Sequence, residues 1–155
     1  MRFKAMFFAA MLAVGVSFSL GQAQERKIKR EQLPPDVEKT VARESEGATV
    51  KGFATEVEHG RKLYEASLVV NGHTKDILID RSGTIVEVEE QVTLDSLPAT
   101  VQDALRKMAG TGTITVIESL TKNDQLVAYE AQVKHGKRRS EIQVGPNGET
   151  LKHPQ

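Results

Sequence analysis

Two stretches of the chain carry the same pattern of apolar positions. Leu33, Val37 and Val41 recur at spacing four, and so do Leu97, Val101 and Leu105, with Met108 extending the second stripe. That spacing predicts one buried helical face in each stretch. Pro34 and Pro98 open the two segments, where a missing N–H costs nothing at a helix start. Gly47 and Gly110 are the expected stops. After each helix the pattern changes to alternation. Tyr64, Ala66, Leu68 and Val70 share one strand face, and Tyr129, Ala131 and Val133 share another. Asn71-Gly72 is a strong hairpin signal. Ile77 and Ile79 then alternate with Asp76, Leu78 and Asp80, and Asp80-Arg81-Ser82-Gly83 turns the chain. Val86 and Val88 are expected to return on one face, between Glu87 and Glu89. In the second stretch Pro146-Asn147-Gly148 makes that turn. An earlier strand, about 49–58 and 113–121, completes each set. The phase of its second version is ambiguous, because Val116 and Ile117 are both apolar.

The likeness goes beyond pattern. LPPDVEKTVARESEGATV (33–50) aligns with LPATVQDALRKMAGTGTI (97–114), and Tyr-Glu-Ala occurs in both KLYEASLVVNG and VAYEAQVKHG. Self-similarity of this length indicates a duplicated supersecondary unit. The expected fold class is α+β: two repeated α-β-β-β(-β) units, each an antiparallel sheet with a short helix packed on one face. The expected division is a signal peptide at 1–23, a charged N-terminal tail at 24–32, a first repeat at 33–90, a linker at 91–96 and a second repeat at 97–155.

The first segment fits export. Arg2 and Lys4 precede the apolar run AMFFAAMLAVGVSFSL, and Gly21 and Ala23 stand at the −3 and −1 positions of a cut before Gln24. This is the pattern of a secretory signal peptide. A periplasmic or extracellular location is expected, with no stable membrane anchor after cleavage.

Composition removes several function classes. The chain carries 21 basic and 21 acidic residues, which is not the footprint of a nucleic-acid binder. It has no Cys, so disulfides, thiol chemistry and Cys-based zinc sites are excluded. Beyond the leader, the aromatic core reduces to Phe53, Tyr64 and Tyr129 beside many Val, Ile and Leu, a composition that favours strands. No catalytic, cofactor-binding or metal-binding residue is expected. His59, His73 and His135 fall in or beside turns and His153 in the tail, with no pair at metal-ligand spacing. Asp80-Arg81-Ser82-Gly83 places a cation after one acid, so a plain turn is favoured over calcium. G-x-S-x-G is absent.

LPxxV opening a short helix, then YEA in a strand, a hairpin, and an apolar strand running into D-x-x-G or P-N-G resembles the PepSY-like family. Leu33, Pro34, Val37, Tyr64, Glu65 and Gly83 carry the first match, and Leu97, Pro98, Val101, Tyr129, Glu130 and Gly148 the second. The resemblance covers about residues 33–152. It implies a secreted bacterial domain, similar in fold to the β-lactamase inhibitory proteins and non-enzymatic, that binds or inhibits other envelope proteins.

A protein-binding module is therefore the expected function, with an unidentified envelope or exported protein as partner. The alternative is an inhibitor of an envelope or exported enzyme, of peptidase or β-lactamase type. A small hydrolase is disfavoured, because no nucleophile, base and cleft come together. Each helix can cover only one face of its sheet. The other face carries Leu63, Glu65, Ser67 and Val69 in the first unit, and Glu130, Gln132 and Lys134 in the second. The first set is the more apolar and is the expected protein-binding face. Glu65 and Glu130 are expected to pair across strands with Lys or Arg. The basic hairpin GKRRSE (136–141) and the acidic run Glu87-Val88-Glu89-Glu90 are the alternative recognition surfaces, although a solvated loop is the commoner role of such clusters.

Overall fold

In the computed structural model, which describes residues 25–58 and 60–155, proline opens both helices. Pro35 is the first residue of α1 (Pro35–Glu44), and Pro98 caps α2 (Ala99–Ala109). The strands are β1 (Arg26–Ile28), β2 (Thr49–Glu58), β3 (Arg61–Val70), β4 (His73–Ile79), β5 (Ile85–Gln91), β6 (Thr113–Lys122), β7 (Gln125–His135) and β8 (Arg138–Val144). They form one eight-stranded sheet in sequence order, with every neighbouring pair antiparallel. The class is α+β, as expected, and the antiparallel strands of both expected units run together in one sheet. Strand β5 pairs with β6 from Glu87↔Lys122 to Gln91↔Glu118, which welds the halves into a single surface. The expected signal peptide at 1–23, and His59, lie outside the described residues.

Both helices lie on the same side of that sheet. Val37 and Val41 of α1 pack with Tyr64, Ala66, Leu68, Ile77 and Ile79. Val101 and Leu105 of α2 pack with Ile117, Ala131 and Val144, with Tyr129 half-buried beside them. The period-four stripes and the tyrosine rows thus meet as read. The exposed Met108 is an exception: the second stripe ends at Leu105, and Ala109 is buried in its place.

Three strand pairs, β2–β3, β4–β5 and β6–β7, depart from simple alternation, the last of them twice. Between Val50 and Gly52, and again between Ile114 and Val116, the register slips by one residue. Such a bulge lets Ile114 and Ile117 both face the helices, which resolves the ambiguous phase at Val116. A third slip, between Leu78 and Ile79, pairs Ile79 with Ile85. It puts Ile85, not Val86, beside Val88 in the core. Within the charged N-terminal segment, Arg26, Lys27 and Ile28 form β1 and pair with Thr55, Ala54 and Phe53. Unsatisfied backbone groups at the sheet edge favour such pairing whatever the side-chain charge.

Two glycines lock the turns against the helices. Gly83 has φ +86 and Gly148 φ +85. A Cβ at Gly83 would sit 2.7 Å from the carbonyl oxygen of Asp36, and one at Gly148 2.5 Å from that of Thr100. Only glycine meets both demands, a left-handed backbone and no side chain. Buried Thr40 completes the first contact, its hydroxyl donating to the Gly83 carbonyl at 2.6 Å.

Candidate functional site

The side of the sheet away from the helices is open, and strand alternation decides what it presents. Residues directly opposite each other share a face. From Glu56↔Leu63 and Glu65↔Leu78 through Asp76↔Glu89 to Glu118↔Glu130 and Gln132↔Glu141, the pairings trace one continuous surface across β2 to β8. That surface is acidic. Two of its pairs, Asp76↔Glu89 and Glu118↔Glu130, set like charges directly across from each other, an arrangement that costs stability.

The expected binding residues Leu63, Glu65, Ser67 and Val69 do lie on this open face, but not as an apolar contact patch. Leu63 is fully buried, with Leu120 at 3% and Leu78 at 8% exposure on the same face. No helix covers them, so neighbouring side chains must close over them. Glu65 stands opposite Ala54 and Leu78, so the expected cross-strand Lys or Arg partner is absent. It accepts a hydrogen bond from the Ser67 hydroxyl at 3.0 Å. Glu130 likewise faces Glu118 and accepts from the Gln143 amide at 2.7 Å. Within this surface Lys122 forms an ion pair, 3.0 Å from Glu87, and Arg61 stands opposite Glu58 at the end of β2. Lys134 and Arg139 oppose each other farther along, towards the exposed basic tip of β7 and β8.

Near the centre, Glu56, Glu58, Glu65, Asp76, Glu87 and Glu89 surround Leu78 in a depression of about 190 Å³. Crowding there makes ionisation expensive. Burial, then the charges of Glu130, Glu118, Glu87 and Asp76, pushes the Glu89 carboxyl up to about 8. Burial and the charges of Glu58, Glu65, Glu87 and Glu25 push Glu56 up to about 7. Burial also raises Glu65, Asp76 and Glu118, although Ser67 partly offsets this at Glu65 and Asp76. At Glu141 desolvation, a hydrogen bond with Glu130 and the neighbouring charges raise the carboxyl to about 7. Glu141 lies exposed on the edge strand β8, away from the half-buried centre that Glu89 and Glu56 occupy.

The other candidates fall apart from this surface. Asp80, where a plain turn is expected over calcium, lies in the turn after β4. Its Oδ1 accepts from the Ser82 hydroxyl at 2.6 Å, the Ser82 N–H at 2.8 Å and the Thr84 N–H at 3.1 Å. The Ser82 hydroxyl first, and the two N–H groups with it, hold its carboxyl below the usual range. His73, His135 and His153 are exposed. Of the run Glu87-Val88-Glu89-Glu90, Glu87 and Glu89 join the open face, while Glu90 faces Lys75 on the helix side. The sequence singles out Glu87 and Glu89 as an acidic run, but not the surface they join with Asp76, Glu118 and Glu130, which forms only across the two units. The signal was present: Glu56, Glu87, Glu89 and Glu118 all fall out of phase with the apolar faces of their strands.

Compared with protein-family models the chain matches none, and it has no match among curated proteins. Solved structures share its fold. A DUF2874 family protein from Bacteroides ovatus superposes with TM-score 0.60 at 20% identity, over 78% of this chain and 86% of that one. A Bacteroides eggerthii protein described as periplasmic gives 0.63 at 21%, over 77% and 86%. A BLIP-like protein from Bacteroides fragilis gives 0.57 at 16%, over 77% and 83%. The chain therefore has a BLIP-like fold, and at these identities the likeness concerns fold alone.

Proposed function

We propose that the protein is a non-enzymatic, periplasmic binding module whose open sheet face docks a cationic surface of another exported or envelope protein. The observation that carries this reading is the segregation of charge. A chain with balanced totals concentrates carboxylates on the one large face its helices leave uncovered. Complementary potentials steer and orient partners, and a basic segment laid there would relieve like-charge pairs that now oppose each other. The partner is of opposite chemistry to the apolar one anticipated from Leu63, Ser67 and Val69.

The periplasmic part is supported by the leader-like first segment and by the description of one fold neighbour. N-terminal sequencing of the exported protein should begin near Gln24; an intact Met1 in a membrane fraction would count against it. The two halves are further read as copies of one PepSY-like unit. Gly83 set on Asp36 and Gly148 set on Thr100, at matching places in the two halves, support that. So do the matching bulges after Val50 and Ile114. Inhibition of an envelope enzyme is the second reading, favoured by the likeness to a BLIP-like protein.

The test is capture from a periplasmic extract at pH 8, using the protein and a Glu56→Gln, Glu89→Gln double variant. A partner that binds through a basic surface should be lost in the variant and in high salt. Capture that survives both, and disappears in an Arg138→Glu, Arg139→Glu variant, would move recognition to the hairpin tip.

A further inference from the structure

The carboxylates of the open face are arranged in rows that cross the strands, and this adjacency has a consequence beyond docking. We propose that these rows form a proton-operated switch: in mildly acidic surroundings neighbouring carboxyls share protons, and in mildly alkaline surroundings the face presents its full negative charge and takes up cationic partners. As a control on partner capture, the switch presupposes the docking role assigned to this face.

Geometry supplies the coupling. Directly opposed residues on antiparallel strands hold their Cβ atoms about 4.5–5.5 Å apart, and Asp76↔Glu89 and Glu118↔Glu130 are such pairs. Carboxyls borne at such opposed positions on a half-buried surface repel when both ionise, a cost that protonation of one removes.

The groups facing Glu89 are Asp76 from β4, Glu87 along β5, Glu118 from β6 and Glu130 from β7. Those facing Glu56 are Glu58 along β2, Glu65 from β3, Glu87 from β5 and Glu25 ahead of β1. The cations nearby are engaged or displaced. Lys122 holds Glu87 at 3.0 Å, and Arg61 is opposite Glu58. Lys27, opposite Ala54, and Lys51 line an adjoining depression with Glu25 and Glu65, and Glu65 borders both depressions. Both helices pack on the other face and contribute no charge here.

The raised values at Glu56 and Glu89, about 7 and about 8, place the transition where an exported protein meets ordinary changes of surroundings. A cationic partner would itself favour the ionised form, so capture and proton release are linked.

The experiment follows the carboxyl carbons of the labelled protein by NMR from pH 4 to pH 9.5. In parallel, binding of a hexalysine peptide is measured at pH 6 and pH 8.5 at constant low ionic strength. Two or more carboxyls should show midpoints above pH 6, and hexalysine should bind about tenfold more tightly at pH 8.5. Glu89→Gln should remove one late titration and lower the midpoint of Glu118 or Asp76; Glu56→Gln serves as a second, separately placed variant. Titration of every carboxyl below about pH 5.5 would overturn the switch, as would late titrations with equal hexalysine affinity at the two pH values. Late titrations with no hexalysine binding at either pH would uphold proton sharing and refute the docking role.

Discussion

Replacing Glu89 with glutamine keeps the size of the side chain and removes its charge. Glu89 lies on the central strand β5, half-buried, opposite Asp76 on one side and Leu120 on the other. Its carboxyl stays protonated up to about 8, against an ordinary 4.5. The unfolded chain gives up that proton near 4.5, so between these values the folded state holds more protons than the unfolded state. Stability from this group is therefore fully present below about pH 4.5 and is lost as pH rises through about 8. The full displacement corresponds to a ceiling of roughly 4–5 kcal/mol. Glu89 keeps some contact with water, and its neighbours titrate with it, so about 1–2 kcal/mol is expected. Urea unfolding of parent and variant at pH 4.5 and pH 9 is the assay. The two should be nearly equal at pH 4.5. At pH 9 the variant should be the more stable by that amount, with unchanged m. A variant equal to or weaker than the parent at pH 9, or equally stabilised at both, would refute the claim that Glu89 is held protonated by its surroundings.

Gly83→Ala and Gly148→Ala should each cost about 1–3 kcal/mol, because both bring a Cβ onto a helix carbonyl at positive φ. Gly72→Ala, at φ +87 but in open space, should cost less in the same thermal melts. Tyr64→Ala should cost about 3–5 kcal/mol, since the ring is 5% exposed in the first core. Tyr129→Ala should cost less, because that residue is only half-buried; equal melting of the two variants would contradict this difference in burial.

The elements that the sequence revealed were those with a period to read. Leu33, Val37 and Val41, and the row from Tyr64 to Val70, follow the repeat of their secondary structure and bury the faces they mark. Strand β1 was not legible, because Arg-Lys-Ile has no alternation of its own and pairs only because β2 leaves an edge. The bulges were not legible either, since a slipped register looks like two adjacent apolar residues until the partner strand is known. The candidate site depended most on topology. Asp76, Glu89, Glu118 and Glu130 are scattered along the chain and look like ordinary solvated strand residues. Only the β5–β6 pairing brings the two halves together and makes their carboxylates neighbours. Reading each unit alone left Leu63, Ser67 and Val69 as the salient feature of a face whose character is set by its acids.

The central claim is that this acidic face is where a cationic partner docks. Its most direct test is an amide chemical-shift map of the protein at pH 8.5, recorded with and without hexalysine. The account predicts shifts concentrated at Glu56, Glu65, Asp76, Glu87, Glu89 and Glu118, with α1, α2 and the β7–β8 tip unmoved. Shifts centred on the exposed carboxylates of the helices, such as Asp36 and Asp103, with the open sheet face silent, would contradict it.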